Sequence, residues 1–467
     1  MTTIADAWLV PLCVVAGTAL TVYACDVAHV LRVILRHHSL RVDPAKVAAY
    51  RERMEAAYAA YASGAPASPP APDSFGHLTT DEEFEANLAD FERELDARGY
   101  APEAGMFGGR RTPYTRLLRE GVEVAIAPRA VIMQVAHPFV AVGIAQHSNV
   151  VRDTPDRFNK TYRYMFAIAF GDRRRVVSTA RILRKLHNRV HGHFPADARG
   201  GALPRGQAYA AAHTHALLWV GLALAESVML GHAMLVGSWT PAELDSLARD
   251  AALGLMLFGV PRRLATGTYE DFRVAIEACW TSRIIGASAE AEFVLKHLLY
   301  PKKLYLRPAF ALARFVTRCM MPPRLAAEFL GREPSLPEKL AASAVLGALR
   351  FLNRFVPGPL RYMPEYSEAM RRVGEPPWPW WGDPCARALE CVARAQKDVV
   401  LGTLMPSRVE DARADPTRGE HLKPGVGADG VGAVTGWSSG GAGPWGTWEA
   451  AGPAAQGGEA AVARGAE

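Results

Sequence analysis

An all-α fold is what the sequence predicts, and three observations predict it. Between Thr79 and about Leu401, apolar residues recur three and four positions apart over long segments. Glycine and proline fall between those segments as punctuation. Sustained alternation of polar and apolar residues is missing, and no Asn-Gly or Asp-Gly pair joins two β-branched runs. The 467 residues supply ample chain for a large core. With 53 Lys+Arg against 47 Asp+Glu the net charge is only +6, and the basic residues are scattered, which argues against a nucleic-acid partner. Six cysteines show neither Cys-x-x-Cys nor zinc-finger spacing, so the chain reads as one from a reducing compartment rather than a disulfide scaffold.

In chain order, the first element is an apolar helix. Ala7 to Cys25 carries no charged residue and approaches the ~20 residues that cross a hydrocarbon core, with Trp8 and Tyr23 toward its ends. Met1 to Asp6 lacks the basic opening of a cleaved signal peptide, whereas Arg32, Arg36, His37, His38 and Arg41 follow the segment. The segment therefore predicts a single-pass anchor with a cytosolic body. Residues 1–61 form anchor and juxtamembrane helix, and the Ala/Pro/Ser-rich run 62–78 is a linker. The helical body follows at 79–405, its first helix capped by Thr80 ahead of Asp81, Glu82 and Glu83. Residues 406–467 turn Gly-rich, the composition of a disordered tail. Ala216 to Gly237 is also long enough to span a bilayer, but Glu226 and His232 predict a buried central helix instead.

Three tracts carry candidate chemistry. In DTPDRFNKTYRYMFAIAFGD, Arg157, Lys160, Thr161 and Tyr164 share one helix face that Ile168 extends into apolar ground. The same pattern also describes a solvated face with snorkelling cations. In ARILRKLHNRVHGHF, His187 shares an apolar stripe with Leu183 and Val190, and a neutral imidazole there can ligate iron or sit hydrogen-bonded in a core. His191 and His193 follow closely, at a spacing that also suits a metal clamp. In PRAVIMQVAHPFVAVGIAQHSNV, His137 precedes Pro138, where it either lines a pocket or caps a broken helix.

Together these tracts, with YAAAHTHALLWVGLALAES and GVPRRLATGTYEDFRVAIEACW, resemble the family of bacterial latex-clearing proteins (rubber oxygenases) and the membrane-bound fungal oxygenase of mycophenolic acid biosynthesis. The resemblance spans about Phe107 to Trp280. It implies an all-α, partly globin-like domain that holds heme b. His187 would be the iron ligand, and Arg157, Lys160 and Thr161 would stand in the heme pocket with His137 as a further cofactor contact. It also implies dioxygen as co-substrate, cleavage of a C=C bond in a hydrophobic isoprenoid chain, and, for a eukaryotic chain, attachment to the endoplasmic reticulum. The sequence departs from the rubber-degrading pattern in two respects. It has no twin-arginine signal, and the apolar stretch Phe139–Ala145 offers no counterpart to the family's acidic base, which leaves Asp153, Asp156 and Glu226 as the nearest carboxylates. Two other readings fit the same residues: a non-heme iron or zinc enzyme built on His187, His191 and His193, and a non-catalytic membrane-tethered domain that binds lipids or proteins.

Overall fold

The computed structural model describes residues 4–37, 42–62, 78–148, 154–197, 203–301 and 303–377, together with the single positions 388 and 391. Residues 63–77 of the expected linker, the Gly-rich tail and Asp153 lie outside the described residues. The chain divides into two units at His421, and every described residue belongs to the first.

As predicted, the body is all-α. Its N-terminal half contains α1 (Ile4–His37), α2 (Pro44–Ala62), α3 (Asp81–Ala97), α4 (Pro113–Leu118), α5 (Ala127–Val135), α6 (Pro138–His147), α7 (Thr154–Phe170) and α8 (Arg173–Asn188). Beyond a two-stranded antiparallel ribbon come α9 (Thr214–Leu235), α10 (Pro241–Leu257), α11 (Tyr269–Thr281) and α12 (Ala289–Leu299). The ribbon, β1 (His191–His193) with β2 (Ala208–Ala210), is an element that the sequence pattern did not announce. The last helices are α13 (Arg307–Met320), α14 (Pro323–Leu330), α15 (Leu336–Asn353), α16 (Gly358–Arg361) and α17 (Pro364–Arg372).

Local chemistry sets several boundaries. Thr80 accepts from the Glu83 amide at 3.1 Å while the Glu83 carboxylate accepts from the Thr80 amide at 3.2 Å, the reciprocal cap that starts α3. Asp172 starts α8 by accepting from the Arg175 amide at 2.7 Å. Between α7 and α8 the turn needs Gly171, because a Cβ there would lie 2.2 Å from the Ala167 carbonyl oxygen. That two-residue turn folds α7 and α8 into a helical hairpin.

Helix α9 is the central helix, and Trp219, Leu222, Ala223 and Ser227 along it are fully buried. Its ionisable groups are paired within the protein. Arg129 of α5, itself without solvent exposure, grips Glu226 with both guanidinium nitrogens (Nη2 to Oε1 2.8 Å, Nη1 to Oε2 2.5 Å). His232 Nδ1 lies 2.8 Å from Glu123 Oε1. Pairing of this kind makes an interior position tolerable for charge. The span-like composition of Ala216–Gly237 therefore belongs to a core helix, as expected.

The 34 residues of α1 form one unbroken helix of about 51 Å at the rise of a regular α-helix. Its C-terminal part packs into the body rather than standing apart. Asp26 is 3 % exposed and bound by Arg350 and Arg354, and the His37 imidazole meets Glu226. Helix α2 packs inward too, with Met54 and Tyr58 buried. Residues 26–37 and 42–62, grouped with the anchor on composition, thus pack with the body.

Candidate functional site

The α7–α8 hairpin brings two of the sequence-predicted residues together. Along α7, Phe158, Tyr162, Phe166 and Phe170 stack at successive ring separations of 5.2, 5.8 and 6.1 Å, which occupies one face. The other face carries Arg157, Lys160, Thr161, Tyr164 and Ile168. Ile168 lies in an apolar cluster with Val176, Val177 and Leu183 of α8 and with Phe84, Leu88 and Phe91 of α3; Tyr164, Leu186 and Phe258 pack at its edge. The face therefore runs from cationic to apolar along its length, as its spacing predicts.

His187 sits in the last turn of α8 at this edge, its ring 6.4 Å from that of Phe258 and inclined by 26°. Burial, then the positive charges of Arg157 and Arg184, hold the imidazole down at about 4, so it is neutral at physiological pH. Its ring nitrogens make no hydrogen bond among the described residues. Arg184 is committed elsewhere, to the Thr79 carbonyl and to Asp81 (Nε to Oδ1 3.2 Å). Tyr164, also near Arg157, is raised to about 12 by burial and stays a neutral phenol. Lys160 is half-buried, and Thr161 is exposed with its hydroxyl donating to the Arg157 carbonyl at 3.0 Å. With that proton committed, Thr161 can accept a hydrogen bond but has none left to give.

His137 belongs to a different cluster. The chain bends by 101° between segment 121–135 and α6, and His137 caps the second helix at that corner, Nδ1 accepting from the Phe139 amide at 3.1 Å. The single proton of the neutral ring is therefore on Nε2. Nε2 points to the phenol oxygen of Tyr58, which in turn lies 2.7 Å from His215 Nδ1. His215 Nε2 faces Cys279 Sγ at 3.7 Å, and that thiol reaches Met54 Sδ at 3.8 Å. The protons can thus run in one direction: His137 to Tyr58, Tyr58 to His215, His215 to Cys279, Cys279 to Met54. Each of these side chains is almost wholly buried. In this arrangement the Nδ1 lone pair of His137 serves the helix cap and Nε2 faces the Tyr58 phenol, so the residue is a core hydrogen-bonding group. Local spacing carried no signal for the cluster, because Tyr58 and His215 are 157 positions apart.

His191 and His193 lie exposed on β1. Burial holds the imidazole of His147 below the ordinary histidine value, and its Nε2 lies 2.8 Å from Tyr209 Oη. Among the described residues no three His, Cys, Asp or Glu side chains gather to hold a metal ion, so the three-histidine alternative has no geometric support.

The buried imidazoles set an acid response. His137, His187, His215 and His232 are all pushed down by burial, to about 4 for His187 and about 3 for His215 and His232. The unfolded chain takes up these protons first, near the ordinary histidine value of about 6.5. Stability is therefore full above that value and falls as the pH drops through the interval down to about 4, by at most about 1.4 kcal/mol per group per pH unit. Urea midpoints should drop between about pH 7.5 and about pH 5; a constant midpoint would refute buried neutral histidines.

The family described as ER-bound oxygenase mpaB/B'/rubber oxygenase, catalytic domain, matches residues 114–354, just over half of the chain. The match extends beyond the tract that carried the resemblance, through α15 to Arg354, and it includes the α7–α8 hairpin, His137 and α9. No curated protein and no solved structure matches the chain. The helical body carries an oxygenase catalytic domain, and the chain belongs to the mpaB/rubber oxygenase family.

Proposed function

We propose that the protein is a membrane-anchored heme b oxygenase that uses dioxygen to cleave a carbon–carbon double bond in an isoprenoid or similarly lipid-like substrate. The observation that carries this reading is the seam between α7 and α8, where a neutral His187 without a described hydrogen bond faces Arg157 beside an apolar cluster. Its donor chemistry fits a porphyrin. His187 would hold the iron through its neutral imidazole, Arg157 would pair with a carboxylate of the porphyrin, and Phe258, Leu183 and Leu186 would pack against its apolar surface. Bound there, heme b supplies the redox centre for the oxidation of the alkene by dioxygen.

The chain's own residues would orient, exclude water and stabilise charge. His187 keeps its lone pair available down to about pH 4. The Lys160 ammonium, one turn along α7 from Arg157, carries protons that can meet developing negative charge near the seam. Thr161 would accept rather than donate, so Lys160 and Arg157 are the donors of the group. The apolar cluster disfavours water and favours a prenyl chain. Attachment through Ala7–Cys25, with the body on the cytosolic side, would deliver a lipophilic substrate from the bilayer; the unbroken helix α1 supports this placement.

The test is the visible spectrum of the purified full chain. A Soret band that shifts on reduction under carbon monoxide is expected, with carbonyl products that carry oxygen from isotopically labelled dioxygen. Full activity in a colourless preparation would overturn the proposal.

A further inference from the structure

We propose that the body sits directly on the bilayer through a collar formed by Tyr23, Phe351, Leu352 and Phe355, at the point where α1 leaves it. The proposal rests on the reading of α1 as a membrane anchor and adds which face of the body meets the lipid.

Three contacts fix α1 relative to the body. Tyr23 Oη donates to the Ala344 carbonyl at 3.1 Å. Asp26 accepts from Arg350 Nε at 2.9 Å and Arg354 Nη2 at 2.5 Å. His29 Nε2 lies 2.8 Å from the Ala233 carbonyl. A buried carboxylate held by two arginines does not belong in hydrocarbon, so the membrane-crossing part of α1 ends before Asp26. Ile4–Cys25 has a length of about 33 Å as a helix, enough for a core of about 30 Å. The boundary of the hydrocarbon therefore falls near Tyr23, with no flexible linker between it and the body.

Helix α15 lies antiparallel to α1 at this level. A Cβ on Gly347 would lie 3.0 Å from the Val27 backbone nitrogen, so the helix backbones touch. One helical turn farther along α15, the Phe351 ring packs edge-on to Tyr23 at 6.4 Å, and Phe355 follows at 5.2 Å from Phe351. Leu352 and Phe355 are 58 % and 69 % exposed, and Leu20, one turn back along α1, is 67 % exposed. A shallow cleft of about 260 Å³, lined by Val122, Leu349, Leu352, Val356 and Leu360, opens beside them. Aromatic and aliphatic side chains grouped around the exit of an anchor have the composition of an interfacial belt. Arg354 completes it: its side chain remains 41 % exposed while bound to Asp26, at the level of lipid phosphates. The occupant that accounts for both the exposed Leu20, Leu352 and Phe355 and the cation beside them is a phospholipid bilayer.

Leu336, 61 % exposed, supplies the control. It lies at the opposite end of α15, about 25 Å from the collar at the α-helical rise, and should face water.

The experiment uses the full chain in phosphatidylcholine vesicles with a photo-crosslinking benzoylphenylalanine at Phe355, Leu352 or Leu336. Carbonate extraction of the same samples reports on the anchor separately. Retention in the membrane with at least about tenfold more lipid adduct at 355 and 352 than at 336 is expected, because an interfacial side chain meets acyl chains and a distant one does not. Equal adduct yields in carbonate-resistant protein would overturn the collar and leave the anchor intact. Carbonate-extractable protein would overturn the anchor; the collar would then stand only if the adducts at 355 and 352 persist.

Discussion

Replacement of His187 by alanine is expected to strip the purified protein of its Soret band and of oxygenase activity, on the proposed reading. The effect should exceed the roughly 10–100-fold losses typical of residues that merely support a metal ligand, so more than about 100-fold in activity is anticipated. His191→Ala should retain both, because His191 lies exposed on β1. Arg157→Ala tests the same seam from the opposite helix. It should weaken heme retention without abolishing it, since Arg157 would be one of several contacts to the porphyrin whereas His187 would hold its iron. Heme retained in full by His187→Ala would sink the assignment.

Glu226→Ala should be the most destabilising single substitution of the body. Arg129 has no solvent exposure and directs Nη1 and Nη2 at Glu226, Nη1 also at Ser227 Oγ (2.6 Å), and Nε at the Met320 carbonyl (3.0 Å). Removal of the carboxylate leaves a buried guanidinium without its counter-ion and removes one contact of the His37 imidazole. Truncation of one member of such a pair costs about 3–5 kcal/mol. The solvent-exposed pair Lys46–Glu270 provides the contrast, where Glu270→Ala should cost at most about 1 kcal/mol. Urea unfolding of the parent chain and both variants at neutral pH checks the difference; equal midpoints for the two variants would show that the Arg129–Glu226 pair is not buried in solution.

The same carboxylate was visible in the sequence for a different reason. Its presence in an otherwise span-like tract predicted a core helix, and α9 is one. The sequence could not name the partner, because Arg129 lies 97 positions earlier and nothing in local spacing links the two. Thr80 with Glu83 is the opposite case: both partners lie within one turn, so the cap is readable from order alone. The family match begins at Tyr114, yet Tyr58, which lies before it, supplies the central phenol of the His137–His215 cluster.

Composition and periodicity by themselves determined the helical class, the apolar N-terminal segment, the central α9 and the mixed face of α7, since each depends on residues within a few turns of one another. Only tertiary structure decided which of the histidines share an environment, that Thr161 has spent its proton on its own helix, and that α2 and the C-terminal part of α1 pack into the body. Helical periodicity specifies a face but not its neighbour. Contacts between residues far apart in the chain are chosen by packing, which sets where each buried polar group can find its partner.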